Sequence, residues 1–200
     1  MIPDLELLLV RHGKSKGNKE GWVFLGHIDS PLDGVGQKQA QTLAQKLAKE
    51  PITAVYTSPL KRAQETGVCL ATPHQLTPYI DDRLIEQDFG AWDTLSLAEV
   101  QQQYAIDMQL WQDNAYEYGP TNGENLKAME IRLRDFYNNL MPKHHQEKIM
   151  IVAHGGVLNV LMCLLLKTAL QWRWAYRFNT GSVAELLIYE ETAVLTRFNA

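Results

Sequence analysis

Two histidines and two arginines in this 200-residue chain stand where an α/β fold can gather chemistry. Arg11 and His12 close an apolar run in Val10-Arg11-His12-Gly13, and His154 closes another in Val152-Ala153-His154-Gly155-Gly156. Arg62 follows a third apolar stretch and the pair Ser58-Pro59. Such runs read as strands of a parallel sheet, and parallel strands end on one edge, where open α/β sheets bind ligands. Two imidazoles and two guanidinium groups at one edge make a site for a dianion. Phosphate fits it, because guanidinium forks pair with two of its oxygens at once. Helices opening near Pro59 and Gly155 would add unpaired N–H groups and positive dipole ends. Neither histidine sits in a metal-binding spacing and no cysteine lies near either. A nucleophilic imidazole is the better reading, with no metal and no cofactor.

The elements that must position these groups follow from periodicity. Residues 5–10 and 52–57 read as buried strands, and 149–153 as a short one. Ala40, Leu43, Ala44 and Leu47 recur at helical spacing, which predicts a helix over 36–49. Ser58 reads as an N-cap with Pro59 in the first turn of a helix reaching about residue 70. The stretch 96–140 is helical, opening on a Ser96/Glu99 capping box and ending in a helix whose face is Leu126, Met129, Leu133, Phe136 and Leu140. A helix over 157–166 and a hairpin of 183–188 with 193–198 complete the chain. The expected fold is a three-layer α/β sandwich with a mainly parallel central sheet. One domain spans 1–200, with a small helical cap inserted at about 92–141 over the carboxyl ends of the strands.

Composition excludes several classes. With 46% hydrophobic residues and 21% charged ones, the chain can bury a core. A net charge of −4 argues against a nucleic-acid binder. Cys69 and Cys163, two in all, read as reduced, buried thiols rather than a disulfide framework. Residues 1–6 lack a basic flank, so no signal peptide is expected, and the apolar run 160–166 is far too short to span a membrane. The expectation is a cytoplasmic protein that binds neither nucleic acid nor membrane.

Five motifs, in order, then resemble those of the histidine phosphatase superfamily, the phosphoglycerate mutase-like fold. They are Leu9-Val10-Arg11-His12-Gly13 with Ser15 and Asn18, the loop Gly26-His27-Ile28-Asp29-Ser30-Pro31-Leu32, Ser58-Pro59-Leu60-Lys61-Arg62-Ala63-Gln64-Glu65-Thr66, Leu84-Ile85-Glu86-Gln87-Asp88-Phe89-Gly90-Ala91-Trp92, and Ala153-His154-Gly155-Gly156. Asn122-Gly123-Glu124 is similar to the start of the family's cap helix. The resemblance covers almost the whole chain. It implies a metal-independent phosphatase in which His12 becomes a phosphohistidine. Arg11, Arg62 and His154 would bind the phosphoryl oxygens, and Asn18 would donate to them. Glu86 would protonate the leaving alkoxide, a duty that requires it to start protonated. A backbone acceptor at the second nitrogen of His12 would set its tautomer.

Residues at the pocket mouth are less defined. Lys14 stands where family members commonly have Glu or Gln, with Lys16 and Lys19 behind it. A preference for extra negative charge and a solvated loop are both open readings. Ser15, His27 and Gly155 are candidate substrate contacts. His144 and His145 read as solvent-facing. Trp172, Trp174, Tyr176 and Phe178 read as core or subunit packing, which leaves a homodimer open, or as a stacking wall for a heterocyclic substrate.

The expected partner is a small phosphorylated substrate. The short span between Glu86 and His154 implies a modest cap that admits water, which favours hydrolysis over the group return of a mutase. Softer cues, among them Phe89-Gly90-Ala91-Trp92-Asp93 and Arg177-Phe178 ahead of Gly181-Ser182, resemble the alpha-ribazole phosphatases of cobalamin nucleotide-loop assembly. The alternatives are a broad-specificity phosphomonoesterase, a phosphoglycerate mutase-like enzyme and a phospho-ligand binding or signalling module.

Overall fold

A computed structural model describes residues 2–18, 21, 23–190 and 192–200. Met1 and Lys19 therefore lie outside the described residues. The chain runs β1 (Leu5–Arg11), α1 (Gly34–Leu47), β2 (Ile52–Thr57), α2 (Lys61–Ala71), β3 (Tyr79–Ile80), α3 (Leu97–Gln103), α4 (Ala105–Asn114), α5 (Leu126–Leu140), β4 (Glu147–Ala153), α6 (Gly155–Leu165), β5 (Val183–Ile188) and β6 (Ala193–Arg197). The strands form one six-stranded sheet in the order β3-β2-β4-β1-β5-β6. The first four are mutually parallel, and β5 and β6 are antiparallel. β1 and β4 are central and covered on both faces, which explains their near-continuous apolar sequence.

Alternation along the strands divides the core in two. Leu5, Leu7, Leu9, Ile149 and Ile151 face α5 and α6, while Leu8, Val10, Met150 and Val152 face α1 and α2. A third cluster of Phe24, Phe89, Trp92, Val100, Met108 and Trp111 holds α3 and α4 together. Its rings meet in tilted and edge-on pairs at 5.1–6.2 Å. The insertion expected over about 92–141 thus divides. Its first two helices form this separate cluster, whereas α5 packs on the sheet. Among the described residues no helix is long and apolar enough to cross a membrane.

Several local expectations shift. α1 begins at Gly34 rather than 36, because the Asp33 carboxylate caps it by accepting from Gly36 N at 2.8 Å. Ser58 does not cap α2, which starts three residues later at Lys61. The cap comes from outside the helix: Asp29 Oδ1 accepts from Lys61 N at 2.7 Å. Asn122 takes a left-handed φ of 59° in a turn, and Asn125 caps α5. The Ser96/Glu99 capping box forms as expected. Trp172 and Trp174 are 61% and 46% exposed, so only Phe178 of that aromatic stretch is core. His144 is not solvent-facing: it bonds both the Tyr56 hydroxyl and Glu147 at 2.8 Å. Cys163 is buried, but Cys69 only partly so.

The loop after β1 is pinned by close backbone approach. A Cβ on Gly36 would fall on the Lys14 carbonyl, and one on Gly13 would fall on the Gly36 carbonyl. Two glycines crossing here let the amino end of α1 press against residues 13–14.

Candidate active site

Register brings the histidines together. In the β1–β4 ladder Arg11 pairs with Ala153, so His12 and His154 are the next residues on adjacent parallel strands. Neighbouring strands lie about 4.8 Å apart, and the two imidazole centroids are 5.0 Å apart. The backbone continues the ladder one step further, with His12 N donating to Ala153 O at 3.0 Å. β2 ends at the same level, since Thr57 pairs with Val152. That places Ser58, and Arg62 in the first turn of α2, beside the pair.

The hydrogen bonds assign each imidazole a tautomer. His12 Nδ1 lies 2.7 Å from Gly13 O. A carbonyl only accepts, so Nδ1 carries the proton and Nε2 keeps a free lone pair. Gly13 O is the backbone acceptor that sets this tautomer, a partner the sequence alone did not identify. His154 is set the opposite way. Arg62 Nε, which only donates, points at its Nδ1 at 3.2 Å, leaving Nε2 protonated and 2.6 Å from Ser58 Oγ. Both rings are held well below the ordinary imidazole pKa. Burial is the largest cause and Arg62 the next for each. Guanidinium charge acts on both, second to desolvation.

Arg62 is completely buried. Besides Nε, its Nη1 donates to Ile28 O at 2.9 Å and its Nη2 to Gly26 O at 2.7 Å. Two of its five N–H groups remain for a ligand. Arg11 Nη1 donates to Phe178 O at 2.6 Å, while its Nε is buried and has no partner. An orphaned guanidinium N–H in a buried hollow marks where an acceptor belongs. Gly155 opens α6 against this group: a Cβ there would lie 3.4 Å from Arg11 Cζ.

Glu86 reaches the same hollow. Its carboxyl accepts from Gln87 N at 2.9 Å, Gly156 N at 3.0 Å and Val157 N at 3.2 Å. The amino end of α6 therefore holds a carboxyl group among its unpaired donors. An acid role requires the proton to sit on a lone pair these three donors do not use. The segment bearing Glu86 is clamped by the start of α5. Gln87 Nε2 donates to Glu124 O, and Arg132 bridges the Glu124 carboxylate and Arg83 O.

The mouth residues are placed unevenly. Asn18 Oδ1 accepts from Ser15 N and Ser15 Oγ, which leaves its amide N–H groups for a ligand. Ser15 is buried and its hydroxyl also accepts from Ser30 Oγ, so it braces the loop. Lys14 Nζ lies 3.9 Å from Asp33 at the surface. His27 Nε2 is 2.9 Å from Glu86 O, against the backbone that carries the acid. Ser58, Thr66 and Arg132 were not singled out for the site by sequence reasoning. Thr66 Oγ1 accepts from Gly13 N and donates to Arg62 O, tying the loop after β1 to α2. Ser58 and Thr66 lie within a quoted motif, so the signal existed; Arg132 had none.

Residues 7–200 match the profile of the histidine phosphatase superfamily (branch 1). The chain belongs to that superfamily. It is 30% identical over 195 residues to phosphoserine phosphatase 1 of Hydrogenobacter thermophilus, covering 98% of this chain and 92% of that one. It is 31% identical over 196 residues to the adenosylcobalamin/alpha-ribazole phosphatase of Escherichia coli, covering 98% and 96%. The crystal structure of the alpha-ribazole phosphatase from Shigella flexneri superposes with a TM-score of 0.89 at 31% identity, over 98% of this chain and 96% of that one. These phosphatase relatives and the arrangement of six strands and flanking helices agree with the phosphoglycerate mutase-like fold inferred from the five motifs.

Proposed function

We propose that this histidine phosphatase hydrolyses small phosphomonoesters through a phosphohistidine on His12, without a metal ion. The observation that carries the reading is the His12 Nδ1 bond to Gly13 O, which leaves Nε2 unprotonated on a ring 5.0 Å from that of His154. The Nε2 lone pair attacks phosphorus, the ester oxygen leaves, and Glu86 supplies its proton. Water then attacks the phosphohistidine, Glu86 takes a proton from it, and the phosphoryl group departs as inorganic phosphate with the His12 Nε2 lone pair restored. Arg11, Arg62 and the Asn18 amide bind the phosphoryl oxygens, and His154 donates from Nε2 in place of its bond to Ser58.

For the substrate, the reading supported by likeness over nearly the full length is alpha-ribazole 5′-phosphate, or its cobalamin-attached form, in cobalamin nucleotide-loop assembly. The exposed indoles of Trp172 and Trp174 offer a surface for a benzimidazole-type base. A second reading, a phosphorylated acid such as phosphoserine, is supported by the Hydrogenobacter relative. The test is a ranking of phosphomonoesters by kcat/KM in the presence of EDTA, with alpha-ribazole 5′-phosphate among them. Turnover that survives EDTA, with alpha-ribazole 5′-phosphate ranked first, supports the whole reading. Loss of all turnover in EDTA removes the metal-free mechanism, and inertness from acidic to neutral pH leaves a phospho-ligand binding module.

A further inference from the structure

The backbone of residues 26–28 serves two charged side chains. Arg62 takes its carbonyls, with Nη1 donating to Ile28 O at 2.9 Å and Nη2 to Gly26 O at 2.7 Å. Asp93 takes its amides, with Oδ1 accepting from Gly26 N at 2.8 Å and Oδ2 from Ile28 N at 3.1 Å. The same two residues therefore meet a guanidinium through C=O and a carboxylate through N–H. Gly26 is also pressed against the segment that follows Glu86: a Cβ there would lie 2.6 Å from Gln87 O and 3.0 Å from Phe89 N.

A strained turn brings Asp93 there. Leu95 N donates to Trp92 O at 3.0 Å, with Asp93 at φ −59° and ψ 131° and Thr94 at φ 71°. This is a type II turn, whose third residue favours glycine. A β-branched residue at a left-handed φ is an outlier that persists where its surroundings hold it. Here Thr94 N donates to Phe24 O at 2.8 Å and Phe24 N to Leu95 O at 3.0 Å. The Phe24 and Trp92 rings, 5.5 Å apart, belong to the aromatic cluster that holds α3 and α4. The turn thus links the packing of the cap to the Asp93 carboxylate, and that carboxylate to the residues Arg62 grips. Arg62 needs such support. It is fully buried, and the three groups it donates to, Gly26 O, Ile28 O and His154 Nδ1, are uncharged. Burial opposes its charge, while Glu86, Asp29 and Asp93 favour it. The Glu86 carboxyl bonds residues 87, 156 and 157 and the Asp29 carboxylate bonds Lys61, whereas Asp93 bonds the very residues that orient the guanidinium.

We propose that Asp93 is a positioning residue for phosphoryl binding: by fixing the backbone of residues 26–28 it aims the two free N–H groups of Arg62 at the phosphoryl oxygens. The proposal rests on the phosphoryl-binding part of the reading above, and it makes the cap a determinant of phosphate affinity.

The test is a double-mutant cycle of Asp93→Asn against Arg62→Lys. Its readouts are the dissociation constant of inorganic phosphate by calorimetric titration, and kcat and KM on p-nitrophenyl phosphate. Asn keeps one acceptor oxygen but turns an N–H donor toward the other amide, so Asp93→Asn weakens phosphate binding about tenfold and lowers kcat/KM with it. Asp93→Glu, with both acceptors on a longer arm, recovers part of the loss, to about threefold. In the Arg62→Lys background the fork is gone, and Asp93→Asn costs less than about twofold. A merely structural role gives the same loss in both backgrounds. That outcome, or unchanged phosphate affinity in Asp93→Asn, overturns the proposal and leaves the phosphatase reading intact. Where Asp93→Asn fails to fold, the cycle with Asp93→Glu decides in the same way: a loss confined to the Arg62 background supports the proposal, and an equal loss or none overturns it. A wild-type protein that binds phosphate but hydrolyses no ester removes the phosphatase reading and leaves the cycle to decide on phosphate affinity. One that does neither removes both.

Discussion

The Nε of Arg62 donates to Nδ1 of His154, and that one bond fixes which face of the second imidazole can give a proton. An arginine cannot accept, so His154 is bound to carry its hydrogen on Nε2. The bond is made from the first turn of α2 to the end of β4, across 92 residues of sequence. It joins the Arg62 guanidinium and the imidazole into one unit. A change at either residue should disturb the other.

His12→Ala removes the group whose free Nε2 faces the hollow. Turnover of p-nitrophenyl phosphate should fall by more than about 10³-fold, because no other unprotonated nucleophile stands there. The check is steady-state rate together with acid-labile ³²P incorporation, which should vanish in the variant. Retention of a tenth of wild-type activity would take His12 out of the role.

Arg62→Lys keeps a charge but loses the fork that spans Gly26 O, Ile28 O and His154. Competitive inhibition by inorganic phosphate should weaken by about tenfold or more, with kcat falling as well. An unaltered inhibition constant would place the phosphate elsewhere.

Glu86→Gln keeps the size and one acceptor for the N–H groups of Gly156 and Val157. It should slow hydrolysis of alkyl phosphates by about 10² to 10⁴-fold. The effect on p-nitrophenyl phosphate should be far smaller, since that leaving group scarcely needs a proton. Equal effects on both esters would argue that Glu86 only braces the amino end of α6.

Stability should depend on pH through the two buried imidazoles. Both have folded pKa values well below the ordinary 6.5. The unfolded chain therefore binds more protons than the folded one once pH drops beneath about 6.5. Their neutral burial costs nothing in protonation above that pH, and stability is lost progressively as pH falls below it. Urea midpoints at pH 7 and pH 5 should show the fall. In His12→Asn the fall should be shallower, by up to about 1.4 kcal/mol per pH unit. A slope the same as wild type would mean that His12 is protonated in the folded protein.

The parts of this arrangement visible in sequence are those set by local pattern. β2 lies at the expected residues because an apolar run bounded by Pro51 and Ser58-Pro59 has few other uses. The convergence of His12 and His154 was readable because both follow apolar runs that end in glycine. What stayed hidden was non-local. Asp29 caps α2 from a loop 32 residues away, so the helix start could not be read from Ser58. Ser58 instead serves His154, a partner that only the β2–β4 register supplies. Arg132 carries no motif, and its place depends on how α5 packs.

The bond from His12 N to Ala153 O has a wider consequence. His12, the proposed nucleophile, is stitched into the middle of the sheet, between the two strands that every layer rests upon. Amide exchange at such a position requires the whole molecule to open. Loss of turnover on heating and loss of the native ladder should then be a single event. In this protein the enzyme assay doubles as a thermometer of global integrity.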